Sequence, residues 1–273
     1  MTTDDAAKSG LVLPFWLRPN APKRWIEKIH EYRDADGTMR FARVRWRFAD
    51  GKKDVTYRRP MSSAKDWGHP KLFQGHDSNP WIPEAPRDAG EYLYRLPQLY
   101  DALLVDAPEV AWTEGESDAD SVALYCPELP VTAHHGGAGK VTPGQLDWFR
   151  GYTGRVWVIA DMDDPGAYCA VKRLDGLRAL EVEAVALGPA VGKDVRDHLE
   201  SGLGWADLVR LDEAEIRCRA REATPASFRR AGYKAEEWAQ WLEAVENWKP
   251  QVQPRLRSLE SRAGWSRGAQ KRW

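Results

Sequence analysis

The chain has 273 residues, 42% hydrophobic and 30% charged, which is enough apolar material for a folded core and excludes global disorder. Its 40 Lys and Arg are balanced by 41 Asp and Glu, for a formal charge of −1, so any affinity for a polyanion must come from local asymmetry. Three scattered cysteines, Cys126, Cys169 and Cys218, exclude a disulfide scaffold and the cysteine-rich zinc modules. No apolar run is long enough to span a bilayer, and the acidic start MTTDDAAKSG is unlike a signal peptide; a cytoplasmic protein is expected.

Residues 1–95 read as an N-terminal extension that opens with a Pro-punctuated stretch. Segments 29–33 and 38–48 flank Asp34-Ala35-Asp36-Gly37, a good hairpin turn. Asp50-Gly51 marks a second turn and 55–59 a third strand, which together predict a small antiparallel β-meander over about 29–59. In the middle strand Ala42, Val44, Trp46 and Phe48 point one way, and Arg43, Arg45 and Arg47 the other. Residues 61–90, rich in Pro, Gly, Asp and Ser, predict a long loop.

Residues 96–213 alternate between strand-like and helix-like segments. Strands are predicted at 110–113, 130–133, 155–160 and 182–187. Helices are predicted at 117–125, at 142–151 with Thr142 as N-cap and Pro143 in the first turn, at 165–180 and at 194–201. This order predicts a compact, Rossmann-like α/β domain: a four-stranded, mainly parallel sheet flanked by helices, with its working edge at the carboxyl ends of the strands. Residues 214–273 read as a basic, Trp-rich helical tail. Its amphipathic helix, 234–248, carries a Trp238, Trp241, Leu242, Val245, Trp248 stripe best read as packing.

Three acidic clusters follow predicted strands: Glu114-Gly115-Glu116-Ser117-Asp118, Asp161-Met162-Asp163-Asp164, and Lys193-Asp194-Val195-Arg196-Asp197. In a parallel sheet all three gather at one edge. Carboxylates crowded together need a neutralising partner, and a hard divalent cation held by a few carboxylates, waters and phosphates supplies one. Glu114, Asp161 and Asp163 are therefore candidate metal ligands, although acids after strands also serve simply as helix caps. Gly136–Lys140 is not a Walker A loop, because His134 and Val141 stand where Gly and Ser/Thr are required. The histidines lack zinc spacing. Residues 23–60 hold 12 Lys and Arg against 6 Asp and Glu, and Arg43, Arg45 and Arg47 form a basic face suited to tracking a nucleic-acid backbone.

Over residues 95–213 these motifs, in this order, resemble the TOPRIM family, shared by bacterial- and phage-type DNA primases, topoisomerases and some nucleases. Trp112-Thr113-Glu114-Gly115-Glu116-Ser117-Asp118 is similar to its Glu-Gly opening, and Ala160-Asp161-Met162-Asp163-Asp164-Pro165-Gly166 to its D-x-D segment. Gly136–Lys140 resembles the glycine-rich turn of phage and plasmid primase-like members, and 192–199 their closing K-D-x-x-D-x-L. The resemblance implies an acid/base and metal role for Glu114, metal binding by Asp161 and Asp163, and a secondary role for Asp118, with Asp194 or Asp197 looser candidates. Lys140 and Lys193 are assigned as phosphate contacts on charge and location alone. The chemistry implied is Mg²⁺-dependent nucleotidyl transfer, with Mn²⁺ a possible substitute: RNA primer synthesis on single-stranded DNA from nucleotides in replication of a phage or mobile element, possibly with a helicase or other replication protein as partner. A Mg²⁺-dependent nuclease and a non-catalytic nucleic-acid-binding adaptor remain open alternatives. A topoisomerase is disfavoured, because 273 residues leave no room for the large tyrosine-bearing domain.

Overall fold

A computed structural model describes residues 24–61, 81–136 and 141–222. The predicted 234–248 helix, Lys140 and most of the 61–90 loop lie outside the described residues. The chain divides into two compact units. One comprises Met1–His30 and Phe41–Ala85, the other Glu31–Arg40 and Pro86–Trp273.

The first sheet has four strands in the order β1 (Arg24–Arg33), β2 (Met39–Phe48), β3 (Lys53–Pro60) and β4 (Trp81–Ile82). The two predicted turns are present, with Gly37 N donating to Asp34 O and Gly51 N to Phe48 O, each at 2.9 Å. β2 is partly amphipathic as expected, with Ala42 and Val44 buried. The alternation breaks at Phe41, which is also buried and lies against Tyr57, with ring centroids 6.3 Å apart. β4 lies inside the segment predicted as loop, since two residues cannot display a period-2 pattern.

The second unit is a doubly wound α/β fold. Its elements are β5 (Leu93–Tyr94), α1 (Leu96–Leu104), β6 (Glu109–Thr113), α2 (Glu116–Tyr125), β7 (Val131–His134) and α3 (Pro143–Leu146), followed by β8 (Arg155–Ile159), α4 (Asp164–Arg178), β9 (Glu183–Gly188), α5 (Val195–Glu200), β10 (Val209–Arg210) and α6 (Glu213–Glu222). The sheet order is β10-β9-β8-β6-β7-β5. The four central strands are parallel, as predicted, and the two-residue edge strands run antiparallel to their neighbours. The predicted 142–151 helix is a single α-turn followed by a 3₁₀ turn, Asp147–Phe149. Thr142 does cap it, in a reciprocal capping box with Gln145. The tighter second turn brings Trp148 Nε1 to Glu91 O at 2.9 Å and stacks Phe149 on Trp112 at 4.9 Å, tertiary contacts that override the helical pattern.

Alternate residues of each strand serve opposite faces of the sheet. On one face Ala111, Val131, Ala133 and Ile159 pack with Ala119 and Val122 of α2 and with Val195 and Leu199 of α5. On the other, fully buried Trp112 meets Phe149, and α4 contributes Leu174 and Leu177 to the core. From β6 the chain crosses one way to β7, then returns past β6 to β8 and β9. The crevice between the carboxyl ends of β6 and β8 is therefore the topological switch point, where open α/β sheets bind ligands. No helix among the described residues is long and apolar enough to cross a membrane.

Candidate metal centre

The switch point is lined by acids from three connections. β6 and β8 pair in parallel, Trp112 opposite Val158, so Glu114 and Asp161 leave neighbouring strands on the same rim, where strand spacing is about 4.8 Å. Thr113 Oγ1 donates to Gly115 O at 3.0 Å and shapes the turn into α2. The first turn of α2 buries both Glu116 and Asp118. Tyr32 from the hairpin end donates to Glu116 Oε1 at 2.6 Å, which occupies one oxygen of that carboxylate. Asp118 is nine-tenths buried, and its Oδ1 has no hydrogen-bond partner.

Asp163 caps α4, accepting from Gly166 N at 2.8 Å, and receives Lys193 Nζ at 3.0 Å. Gly166 is required here because a Cβ would lie 2.4 Å from Asp161 O. The helix start and the Asp161 backbone thus pack as one piece. Asp194 caps α5 by accepting from Asp197 N at 2.9 Å and pairs with Arg196 at 3.1 Å. Met162, between the two aspartates, donates its N–H to Lys193 O at 2.8 Å and accepts from Arg219 of α6 at 3.0 Å. The D-x-D loop is held from both sides.

Beneath the loop lies Arg173, fully buried on α4. Its guanidinium donates to Trp112 O of β6 and, at 2.9 Å, to Ile159 O of β8. One side chain thus ties together the two strands that deliver Glu114 and Asp161, and it places a fixed positive charge under the acidic rim. Sequence reasoning missed Arg173. Its position on the stripe formed by Cys169, Ala170, Leu174 and Leu177, all buried, was the available signal, because a charge on an apolar stripe is buried for a reason.

The electrostatics report crowding. Burial, and then the charges of Asp163 and Asp194, push the Asp161 carboxyl up to about 7, while Arg173 and Lys193 pull it back. Burial and the neighbouring Asp161 and Asp194 charges hold Asp118 well above the usual carboxylate range. The Lys193 ammonium is raised above its ordinary value by its hydrogen bond to Asp163, with further support from Asp161 and Glu114.

These features fit a hard divalent cation. The donors are all carboxylate oxygens, they are too crowded to ionise together without a counter-charge, and one buried oxygen has no partner. Among the described residues no three or more His, Cys, Asp or Glu side chains are grouped so that they could hold a metal ion by themselves.

The structure thus brings Glu114, Asp118, Asp161, Asp163, Asp194 and Lys193 to one rim. Lys140 falls outside the described residues. Arg43, Arg45 and Arg47 belong to the first unit. There Arg45 and Arg47 share Glu27, at 2.7 and 2.5 Å, and Arg43 lies over the Tyr57 ring at 5.8 Å. His134 is buried, with Nε2 3.5 Å from Cys169 Sγ and its ring edge-on to Trp112, a packing role in the core.

No family model matches the chain, and no curated protein matches it. Among solved structures it is similar to the zinc-binding and RNA polymerase domains of the Aquifex aeolicus primase, at 14% identity and a TM-score of 0.44, over 80% of this chain and 47% of that one. It is also similar to the primase fragment of the bacteriophage T7 primase-helicase, at 17% identity and a TM-score of 0.41, over 74% of this chain and 63% of that one. A third is a DNA primase domain from Pseudomonas aeruginosa, at 16% identity and a TM-score of 0.42, over 82% of this chain and 69% of that one. The chain thus spans about half the length of the first of these structures and under two thirds of the second.

Proposed function

We propose that this chain is a primase-like nucleotidyl transferase of DNA replication, of the phage or mobile-element type. It would extend an RNA primer on single-stranded DNA, alone or with a helicase or other replication protein, and would need Mg²⁺, replaceable by Mn²⁺. The observation that carries the reading is the delivery of Glu114 and the Asp161/Asp163 pair to one rim at the sheet's switch point, beside a buried and unpartnered Asp118 oxygen. The order of the motifs supports it independently, since the Glu-Gly and D-x-D segments fall on the turns after β6 and β8.

A divalent cation bound here would stabilise charge on the phosphoryl oxygens during transfer. The residues of the chain divide the remaining work. Asp161 and Asp163, on one loop, would hold the cation. Glu114, in the turn after the neighbouring strand, would orient or accept the proton of the attacking hydroxyl. Arg173 keeps the two loops in register. Lys193 supplies a positive side chain at the mouth for a phosphate.

Incubation with Mg²⁺, single-stranded DNA and labelled nucleotides tests the reading. Short oligonucleotide products, lost in Glu114→Gln and Asp161→Asn, are the expected result. A shortened template, lost in the same variants, would point to a nuclease. Neither product, with both variants indistinguishable from wild type in divalent-cation binding, would leave an adaptor with no metal centre.

A further inference from the structure

Lys193 is paired with one group in the structure and assigned to another in the proposed reaction. Its ammonium sits 3.0 Å from Asp163 Oδ2, where it neutralises a carboxylate assigned to the cation. Its backbone is fixed on both sides: Lys193 N donates to Asp197 Oδ2 at 3.0 Å, and its carbonyl accepts from Met162 N at 2.8 Å. Gly192, at φ +86°, leaves no room for a Cβ, which would fall 2.4 Å from Asp197 Cβ. The chain thus holds the root of Lys193 against the D-x-D loop while its side chain stays 59% exposed. Asp118, whose buried Oδ1 has no hydrogen-bond partner, is close enough to Asp161 and Asp194 to feel their charges.

We infer that Lys193 is an internal stand-in cation: it holds Asp163 until a divalent ion arrives, and then swings to the phosphates of the incoming nucleotide. This deepens the metal-centre reading and rests on it. A group that leaves a carboxylate as metal binds, and engages phosphate afterwards, has effects of opposite sign on the two ligands. It competes with the bare ion and assists the ion–polyphosphate pair. A lysine with a merely structural role would weaken both or neither. The exchange also favours metal arriving together with nucleotide over metal alone.

The experiment compares the full-length protein with Lys193→Gln and with Lys193→Arg, which keeps the charge. Free Mn²⁺ is titrated by electron paramagnetic resonance, and the Mn²⁺–tripolyphosphate complex by calorimetry. Lys193→Gln is expected to bind bare Mn²⁺ about two- to fivefold more tightly, in keeping with the modest strength of a half-exposed ion pair. It should bind Mn²⁺–tripolyphosphate on the order of tenfold more weakly, as expected for a lost charge-assisted contact. Lys193→Arg should follow wild type on both. Unchanged or weaker binding of bare Mn²⁺ by Lys193→Gln would overturn the inference, and so would unchanged binding of the complex. Wild-type protein that binds no Mn²⁺ at all would overturn the metal centre itself, a separate result visible before any variant is made.

Discussion

At the scale of single residues, the acidic rim is a balance between crowded carboxylates and the cations of Arg173, Lys193 and Arg196. Arg173 is buried and bonded to carbonyls of both β6 and β8. Arg173→Met removes charge-assisted bonds from a dry environment and leaves polar groups unsatisfied. The expected loss is about 3 kcal/mol of stability, measured as a fall in the urea midpoint, and Arg173→Lys should recover only part of it because lysine lacks the planar fork. Asp118 behaves in the opposite way. Its carboxylate is disfavoured by burial and by Asp161 and Asp194, so Asp118→Asn should raise the melting temperature of the metal-free protein. The same change should reduce the further rise produced by Mg²⁺, giving two shifts of opposite direction in one thermal experiment. Gly166→Ala places a Cβ 2.4 Å from Asp161 O. It should displace the D-x-D loop and cost more in divalent-cation affinity than in stability, since the strain falls on the loop and not on the core.

At the scale of elements, α6 closes the second unit by lying along α4. Arg178 pairs with both oxygens of Glu213, and Arg217 bonds Asp175 at 2.6 Å. The hydrogen bond from Arg178 lowers the Glu213 carboxyl below its ordinary value of 4.5. A lowered folded-state pKa gives stability that is fully present above 4.5 and is lost as pH falls through the folded value. The pair is more than a third exposed, so its worth is under about 1 kcal/mol. Glu213→Gln should therefore be slightly less stable than wild type at pH 7, and the two should converge as the solution is acidified through that range. Denaturation midpoints across pH check this. The hairpin end joins the same unit by a different device: Tyr32 is fully buried and bonded to Glu116 at the start of α2. Tyr32→Phe keeps the ring and removes only the hydroxyl's bond to a carboxylate, and should cost about 1–2 kcal/mol.

At the scale of the whole molecule, binding of a cation to the folded protein alone stabilises it by mass action. At a hundredfold excess over the dissociation constant the gain is about 2.7 kcal/mol, which corresponds to a rise of several degrees in melting temperature for a domain of this size. Mg²⁺ should produce that rise and EDTA should abolish it, with Glu114→Gln and Asp161→Asn blunting the response.

The amino-acid sequence announces the parallel sheet and the rim on which its acids gather. Strand and helix periods alternate clearly from residue 109 onward, and acids standing directly after apolar strands must emerge at the carboxyl edge whatever the details of packing. Thr142 and Pro143 fixed one helix start from local chemistry alone. The helix α1, with its buried Leu96, Leu99, Tyr100 and Leu103, is not among the predicted helices. Its usual start signal is absent, because the N-cap is Arg95 in a left-handed conformation with no side-chain cap. Tertiary structure decided the rest. Two-residue strands such as β5 and β10 exist only because a neighbour offers a ladder, so no local pattern announces them. The 142–151 segment tightened into a 3₁₀ turn to seat Trp148 and Phe149. The exchange of partners proposed for Lys193, the staple made by Arg173 and the tie from Tyr32 to Glu116 join residues 30, 61 and 84 positions apart. Local periodicity reports which face a residue occupies; only the folded chain decides which distant charge it meets there.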